Sequence, residues 1–303
     1  MVSPDELEAL DLLCWLRNGD DAARLAYCNQ STISRRSQQA IKVFDLFSSH
    51  GQGPHPQAGS ATLLRMEREV HQLFRLSGGN RLRLHAPYWA SRRLDGQLDA
   101  HWMVNPTRNK EPVGEALRLL EDRVIDAIIA ETRQRPADDD PKFVCFDLYE
   151  TPLLLCAEVL AEKLASNPLY ADKRLSSGDV GSLSYVRPQR FLSRESKGCV
   201  FQLYNLLYGD TRDADCGSSQ PLKDGYPVTF VMSYHPLVFA DFGHYRPIDS
   251  IDYGCGFMAK ESLVVLRGLE ESPSILALLE FLSSSYLKPL RQYAEVQIDR
   301  AFA

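Results

Sequence analysis

The chain has 303 residues, of which 44% are apolar and 24% are charged, a mixture typical of a globular protein with two or three hydrophobic cores. The formal net charge of −6 at pH 7 argues against a protein covered in nucleic acid. It does not exclude a small basic module, because local charge decides phosphate binding. No apolar stretch reaches the ~18 residues of a spanning helix, and the acidic start lacks the features of a signal peptide, so we expect a cytoplasmic protein with no membrane partner.

The first two helices are predicted from their N-terminal residues. Ser3 is a favourable N-cap, Pro4 suits the first helical position, and Glu6 completes a capping box. The first helix is therefore expected to run from there to about Arg17. After the break "NGDD", Asp20 is placed to cap a short second helix.

The third helix is predicted to start near Gln30, after a polar turn, and its outer face is basic. Apolar residues at helical spacing define an inner face, while three cations and no acid occupy other positions: Ile33, Ala40, Ile41 and Phe44 inward, and Arg35, Arg36 and Lys42 outward. Such a helix is either one that contacts DNA or an ordinary amphipathic helix with a basic outer face.

A segment rich in Gly, Pro and Ser and then a long helix follow. The segment "SSHGQGPHPQAGS" is predicted to be a loop, of the kind that forms the wing of a winged helix. In "ATLLRMEREVHQLFRL", apolar residues recur at spacings of three and four with charges elsewhere, which predicts a coiled-coil seam: Leu63, Met66, Val70 and Leu73. We expect this seam to form a homodimer; the alternative is that it packs against the protein's own N-terminal helices.

The rest of the chain, from about Arg81, has an α/β pattern. "RLRLHA" is predicted to be a short strand, and "VGEALRLLEDRVIDAIIAE" to be a helix, a turn and a buried strand over Ile125 to Ile129. Three later segments have strand composition: "KFVCFDLY", "PVTFVMSYHPLVF" and "ESLVVLRGL". Near the end, "SPSILALLEFL" predicts a capped amphipathic helix.

Familiar catalytic and cofactor motifs are missing from the sequence. It contains no GxGxxG, Walker, HExxH or GxSxG motif, and its seven histidines have no metal-ligand spacing. Seven scattered cysteines without a CxxC pair indicate reduced thiols. The run Asp138 to Asp140 is interpreted as a solvated loop rather than a metal site. We therefore predict no catalytic residue, no metal and no cofactor.

Several short motifs, in order along nearly the whole chain, resemble those of LysR-type transcriptional regulators. The similarity begins with paired alanines, a polar-Gln turn and a Ser-Arg pair on the third helix, and continues into the linker helix and the α/β region: Ala22-Ala23, Asn29-Gln30, Ile33-Ser34-Arg35, Ala58-Gly59, Leu63-Leu64, "RLRL", "LLEDRVIDAIIA", "LSSGDVGSLSYV" and "SPSILALLEFL". The sequence is identified as a divergent member of this family.

The resemblance implies an α/β fold in three parts. Residues 1–60 would form a winged helix-turn-helix DNA-binding domain rich in α-helix, and residues 61–79 a linker and dimerisation helix. Residues 80–303 would form an effector-binding domain of two subdomains, similar to a periplasmic binding protein. The resemblance implies a homodimer, which could pair into a tetramer, since family members often form tetramers. The other expected partners are double-stranded DNA and an unknown small-molecule effector.

In a recognition helix, N-terminal residues face base edges and other polar residues contact phosphates. The resemblance therefore places base contacts at Gln30, Ser31, Thr32 and Arg35, and phosphate contacts at Ser34, Arg36 and Lys42. Effector contacts are expected where the first strand ends and where the second subdomain begins: Pro87, Tyr88 and Thr151, beside Ala86 and Glu150.

The sequence also departs from the family pattern. Ser37 and Ala40 replace larger apolar residues of the third helix, and Ser49 stands where the family's wing has an arginine. The first alternative is therefore a protein-interaction paralogue with the same fold and weak or no specific DNA binding. The second alternative is an enzyme on the α/β body, which would need a catalytic site that no motif indicates.

Overall fold

The computed structural model describes residues 2–47, 55–56, 58–94, 96–106, 115–132, 134–152, 154–158, 228–231, 245–247, 258–292 and 297–299. The chain packs into two compact units. The first contains Met1–Ala130, Gln134–Phe146 and Ser262–Tyr286, and the second contains Glu131–Arg133, Asp147–Glu261 and Leu287–Ala303. The predicted three-part division at residues 60 and 79 stays a prediction. The predicted α/β class is confirmed, since helices and a mixed sheet make up the described residues.

Helix α1 spans Pro4–Leu16, and the predicted capping box is present. The Ser3 hydroxyl accepts a hydrogen bond from the backbone N–H of Glu6 at 3.3 Å, and the Glu6 carboxylate accepts one from the N–H of Ser3 at 2.8 Å. The helix ends at Arg17, which adopts a left-handed conformation with φ of 52°. These contacts satisfy N–H groups that the first helical turn leaves without an internal partner.

Helix α2 spans Gly19–Leu25, and its cap differs from the sequence prediction. Asp20 was expected to be the N-cap, but Asn18 has this role. The Asn18 side chain accepts hydrogen bonds from the N–H groups of Asp20 at 2.8 Å and Asp21 at 3.2 Å. The helix starts earlier because Asn18 has the extended backbone that an N-cap requires. Asp20 lies in the first turn, where a carboxylate still favours the positive end of the helix.

Helix α3 spans Gln30–Val43 and begins where the sequence predicts. Its buried face comprises Ile33, Ser37 and Ala40, with Phe44 just after the helix. Ser37 is accommodated because its hydroxyl donates to the carbonyl of Ser34 at 3.0 Å, so this small residue thins the core without leaving a buried hydroxyl unsatisfied. Ile41 is only half-buried.

A short ribbon and a long helix come next. Strands β1, Leu46–Phe47, and β2, His55–Pro56, pair antiparallel. Helix α4 spans Ala58–Leu76 and starts three residues before the predicted Ala61. It ends in a glycine turn: Gly78 has φ of +88°, and the N–H of Gly79 bonds the carbonyl of Phe74 at 2.9 Å. This is the glycine C-cap that "SGGN" predicts.

The strands and helices of the α/β part come next. Their bounds are β3 Leu82–His85, α5 Tyr88–Leu94, β4 Trp102–Val104, α6 Glu115–Glu121, β5 Ala127–Glu131, β6 Phe143–Pro152, β10 Met258–Leu266 and α7 Pro273–Phe281. The strands lie in the order β6-β10-β5-β3-β4, and β3 pairs in parallel with both β4 and β5. The ends of β6 and β10 that lie beyond Phe146 and before Ser262 belong to the second unit. A π turn, Leu282–Tyr286, extends α7.

The predicted strand at Ile125 to Ile129 is shifted in the structure. Strand β5 begins at Ala127, because residues 122–126 form a turn in which Arg123 has φ of 59°. Val124 and Ile125 are buried all the same. A short apolar run signals burial and not strand geometry, which explains the error of two residues.

One hydrophobic core joins the N-terminal helices to the sheet of the first unit. A single cluster of buried side chains contains members of α1, α2 and α3 together with members of α6, β5 and β10, among them Trp15, Ala22, Ile33, Leu119, Ile128 and Val264. A second cluster joins α1, α3 and α4 through Leu7, Leu10, Ala40, Phe44 and Leu64. The three N-terminal helices therefore share their core with the α/β elements.

The second unit contains two described strand groups. Strand β11, Gln297–Ile298, pairs antiparallel with β6 at Glu150 and Tyr149. Strand β7, Leu154–Glu158, pairs antiparallel with β8, Val228–Val231, and with β9, Tyr245–Pro247. The segment "LSSGDVGSLSYV" and most of "PVTFVMSYHPLVF" lie outside the described residues. None of the described helices combines the length and the apolar character needed to cross a membrane.

Candidate nucleic-acid interface

The outer face of α3 carries a polar stripe without an acidic residue. Ser31, Arg35, Gln38 and Lys42 are all exposed, and their spacings of four, three and four residues align them along one side of the helix. The structure thus brings together three of the seven predicted DNA contacts. It adds Gln38, which sequence reasoning missed although its position three residues after Arg35 was the available signal.

Gln30 and Ser34 lie beside the stripe on α3. Both line a groove of about 260 Å³ between α1 and α3, which Gln38 of the stripe also lines and whose apolar lining includes Leu13 and Ile41. The side chain of Gln30 rests on Gly19 so closely that a Cβ atom there would lie 3.0 Å from Gln30 Cγ. A base contact by Gln30 would therefore require its side chain to leave Gly19. Its predicted role stays a prediction, as does that of Ser34.

Arg36 and Thr32 occupy the opposite flank of α3 and are half-buried. The guanidinium of Arg36 forms an ion pair with the carboxylate of Asp5 at 2.6 Å, and both side chains remain partly exposed. An exposed pair of this kind is weak, so a phosphate could replace Asp5. Phosphate contact by Arg36 and base contact by Thr32 also stay predictions.

Two features surround the N-terminus of α3. Asn29 is the N-cap, but its side chain makes no capping hydrogen bond, which leaves first-turn N–H groups available to an anion.

In the turn before Asn29, Tyr27 has φ of 51° and a side chain that is 84% exposed. The guanidinium carbon of Arg81 lies 4.6 Å from the centre of the Tyr27 ring, a cation–π distance. Arg81 also donates to the carbonyl of Leu25, so this turn is held by the segment that precedes β3.

The predicted seam on α4 is exposed. Leu63, Met66, Val70 and Leu73 are 51–63% exposed, and Phe74, which the sequence prediction omitted, is 50% exposed. We call these five residues the α4 stripe. The alternative that this seam packs against the protein's own N-terminal helices does not fit these exposures. The signal for Phe74 was its position four residues after Val70.

The opposite side of α4 is buried and largely polar. Arg68 donates from Nε to a carboxylate oxygen of Asp11 on α1 at 2.8 Å. Arg75 binds both carboxylate oxygens of Asp126 at 2.8 and 2.9 Å, and Gln72 donates to the same carboxylate at 3.1 Å. All of these residues are at most 7% exposed. Helix α4 therefore differs from an ordinary surface helix, because it buries two arginines on one side and exposes a stripe of apolar residues on the other.

Arg83 on β3 joins the two buried carboxylates. Its Nη1 donates to Asp11 at 3.2 Å and to the carbonyl of Val124 at 2.8 Å, and its backbone N–H donates to Asp126 at 2.9 Å. Burial first, and then the neighbouring charge of Arg75, lowers the pKa of Arg83, while Asp11 opposes this shift. A buried cation of this kind requires the surrounding acceptors.

The residues predicted to contact an effector fall in both units. Pro87 is half-buried after β3, and Tyr88 begins α5, with its side chain outside the described part. Thr151 is fully buried in β6. Beside it in the second unit, Lys260 binds Glu150 at 2.7 Å and Asp147 at 2.9 Å. The predicted effector contacts stay predictions.

Two further titratable side chains of the described residues have shifted pKa values. Burial raises the pKa of the Cys14 thiol to about 11, so the sulfur is protonated and unreactive near pH 7. Burial lowers the pKa of His85 to about 4, which keeps this imidazole neutral. In the stretches that the structure describes, no group of three or more His, Cys, Asp or Glu side chains could hold a metal ion.

Comparison with known proteins gives distant likenesses over most of the chain. ArgP from Mycobacterium tuberculosis is 14% identical and aligns over 92% of this chain and 95% of its own, with a TM-score of 0.41. DarR from Vibrio fischeri, an LTTR family member solved in complex with DNA, is 13% identical over 93% and 98%, with a TM-score of 0.41. CrgA from Neisseria meningitidis, a LysR-type transcriptional regulator, is 14% identical over 93% and 98%, with a TM-score of 0.36. No family model and no curated protein matches the chain.

Proposed function

We propose that this chain is a divergent LysR-type transcriptional regulator that binds DNA as a dimer through α3. The observation that supports the proposal most directly is the exposed stripe of Ser31, Arg35, Gln38 and Lys42 on a helix with three cations and no acid. The order of the LysR-like motifs along the sequence agrees with it. In this proposal, residues 1–60 act as the winged helix-turn-helix.

The chemistry of the stripe suits a major groove. Arginine can bind guanine and glutamine can bind adenine by two hydrogen bonds each, and each such pair is worth about 1–3 kcal/mol of discrimination. We assign Arg35 and Gln38 to base edges and Lys42 to a phosphate. The uncapped N-terminus of α3 would hold a second phosphate, and phosphate contacts fix the position of the helix without selecting sequence.

A dimer follows from the α4 stripe. Five apolar side chains that are at least half exposed in water form an unfavourable surface, and the charged face of the same helix already bonds to Asp11 and Asp126. The heptad-like spacing suits a copy of the same helix. Two copies of α3 in one assembly would bind two half-sites related by two-fold symmetry. Two such dimers could pair into a tetramer.

The α/β part is proposed to sense a small molecule as two subdomains, and to regulate rather than catalyse. A ligand there would change DNA binding only by its differential affinity for two arrangements of the protein. The shifted groups do not favour catalysis, because burial keeps the Cys14 thiol protonated near pH 7 and the buried His85 already accepts a hydrogen bond from Trp15 at Nδ1. A regulator of chromosomal genes would work in the cytoplasm.

The second candidate is a protein-interaction paralogue with weak DNA binding. Three observations favour it: Arg36 is paired with Asp5, Gln30 lies on Gly19, and the whole chain carries a charge of −6. The ion pair and the net charge reduce the positive charge available to bind DNA. The contact with Gly19 limits how far the Gln30 side chain can extend toward a base. This candidate would still form the α4 dimer.

Selection of bound sequences from a random pool of DNA duplexes tests the proposal. The salt concentration must be fixed at about 0.15 M, because phosphate contacts alone give binding that depends on salt and not on sequence. The proposal predicts enrichment of a motif with two-fold symmetry. A folded dimer that enriches no sequence would favour the interaction paralogue.

A further inference from the structure

Asp11 has an unusual position for a residue of a surface helix. It belongs to α1 but is only 1% exposed. Its two carboxylate oxygens accept hydrogen bonds from two separate elements: Oδ1 from Arg68 of α4 at 2.8 Å, and Oδ2 from Arg83 of β3 at 3.2 Å. Asp11 therefore links α1 both to α4, the helix that carries the α4 stripe, and to β3.

Helix α1 in turn holds α3. Leu7 and Leu10 of α1 share a buried cluster with Ala40 of α3, and Asp5 pairs with Arg36. Apolar side chains of α3 and α4 also share this cluster, and α1 adds the directional ion pairs to the link between the two helices. The wider core, in which Trp15 and Ile33 lie with Ile128 of β5, gives α1 the same fixed relation to the sheet.

Two buried ion pairs fix a geometry more narrowly than apolar contacts do. An apolar helix face can shift with little loss of buried area, whereas charge-assisted hydrogen bonds to both oxygens of one carboxylate constrain direction and distance. Breaking either pair would also leave a buried charge without compensation. Helices α1 and α3 are thus expected to move with α4 and β3 as one body.

The geometry points to Asp11 as a positioning residue that sets the distance between the two recognition helices of a dimer. This inference rests on the proposed function, because it assumes that α3 binds DNA and that the α4 stripe pairs two copies. Its consequence is strict spacing of the two half-sites. A DNA-binding domain on a mobile linker would tolerate altered spacing, but a helix bonded through Asp11 to the dimer helix would not.

The experiment uses the full-length protein and two variants of the buried pairs. Asp11→Asn removes the charge of the carboxylate, and Arg68→Gln removes only the pair with α4 and leaves Arg83 in place. Glu69→Gln is the matched control, because Glu69 is an exposed residue of the same helix that pairs with Arg123 at 3.1 Å. If Asp11→Asn fails to fold, Arg68→Gln decides the outcome.

Affinity is measured for the selected site, for the same site with five base pairs inserted between its halves, and for a single half-site. The five-base-pair insertion should lower the DNA affinity of the wild type and of Glu69→Gln roughly 100-fold, which is near the lower end of the affinity gained when two binding sites are linked. The same insertion should lower the affinity of Asp11→Asn and Arg68→Gln by about tenfold or less. Affinity for the single half-site should be unchanged in all variants. Equal insertion penalties in all four proteins would overturn the inference.

A second measurement does not depend on DNA. Native-state hydrogen exchange of the wild type should show amides of α1 and α3 opening together with those of α4 and β3, as one cooperative unit. In Arg68→Gln, exchange in α1 and α3 should become faster relative to α4, and in Glu69→Gln it should not. Separate opening of α1–α3 in the wild type would refute the positioning role even if DNA binds. If no DNA site is enriched, the proposed function fails and this result alone decides whether Asp11 couples the helices.

Discussion

The indole N–H of Trp15 donates a hydrogen bond to Nδ1 of His85 over 3.2 Å. Trp15 belongs to α1 and His85 to the end of β3, so the bond crosses from the N-terminal helices to the sheet. Because Nδ1 accepts, the proton of the neutral imidazole lies on Nε2. Burial lowers the pKa of His85 from 6.5 to about 4, which agrees with a ring that stays neutral in the folded protein.

The free energy of unfolding should fall as the pH drops from 7 to 5. In the unfolded chain His85 takes up a proton near pH 6.5, whereas in the folded chain it does so only near pH 4. The stability that this histidine contributes is therefore complete above pH 6.5 and is lost between 6.5 and 4, by about 2 kcal/mol at pH 5. Burial also lowers the pKa of His71, which adds to the same trend. Urea titrations at several pH values measure the change.

The control for this prediction is a variant of His85 itself. His85→Gln retains an acceptor for Trp15 and removes the titration, so its stability should depend less on pH than that of the wild type. Identical pH dependence in the wild type and His85→Gln would contradict the assignment.

Removing the Asp126 carboxylate should strongly lower the free energy of unfolding. Asp126→Ala leaves Arg75 and the neighbouring Gln72 buried without their acceptor, so we expect the free energy of unfolding to fall by about 3–5 kcal/mol. Glu69→Gln removes an exposed partner of Arg123 and should change the free energy of unfolding by only about 0–1 kcal/mol. Urea unfolding of both variants, followed by circular dichroism, compares them. A loss of similar size in both would show that the buried pair has no special role.

Charge on the α4 stripe should separate the proposed dimer. Val70→Glu places a carboxylate in the middle of the stripe, where a second copy of the helix would bury it, so sedimentation should show a monomer. Arg65→Glu changes an exposed residue of α4 outside the stripe and should leave the dimer intact. Both variants should keep the circular dichroism of the wild type, because neither position is buried. A Val70→Glu variant that sediments as a dimer would place the dimer contact elsewhere.

The sequence predicted those parts of the fold that depend on local signals. Ser3 and Glu6 form the expected capping box, α3 begins at Gln30, and Leu82–His85 is a strand. The error at the start of α2 arises because two local signals compete. Asn18 and Asp20 are both good N-caps, and only the backbone conformation decides between them.

The buried polar face of α4 could not be predicted from the sequence. Arg68, Gln72 and Arg75 are residue types that are mostly exposed, and their partners Asp11 and Asp126 lie 57 and 51 residues away from Arg68 and Arg75. Such pairing depends on tertiary structure and leaves no periodic signal. The seam on the same helix, by contrast, could be predicted from the sequence, because its apolar residues repeat every three or four positions.

The most direct test of DNA recognition by α3 compares the wild type with Arg35→Ala on the selected site and on a duplex of scrambled sequence. Arg118→Ala is the control, because it removes an exposed arginine of α6. The wild type and this control should prefer the selected site, whereas Arg35→Ala should lose about 1–3 kcal/mol of that preference per half-site while its binding to scrambled DNA changes little. An Arg35→Ala variant that is folded and keeps the full preference would contradict the account, because the exposed face of α3 would then not determine which DNA is bound.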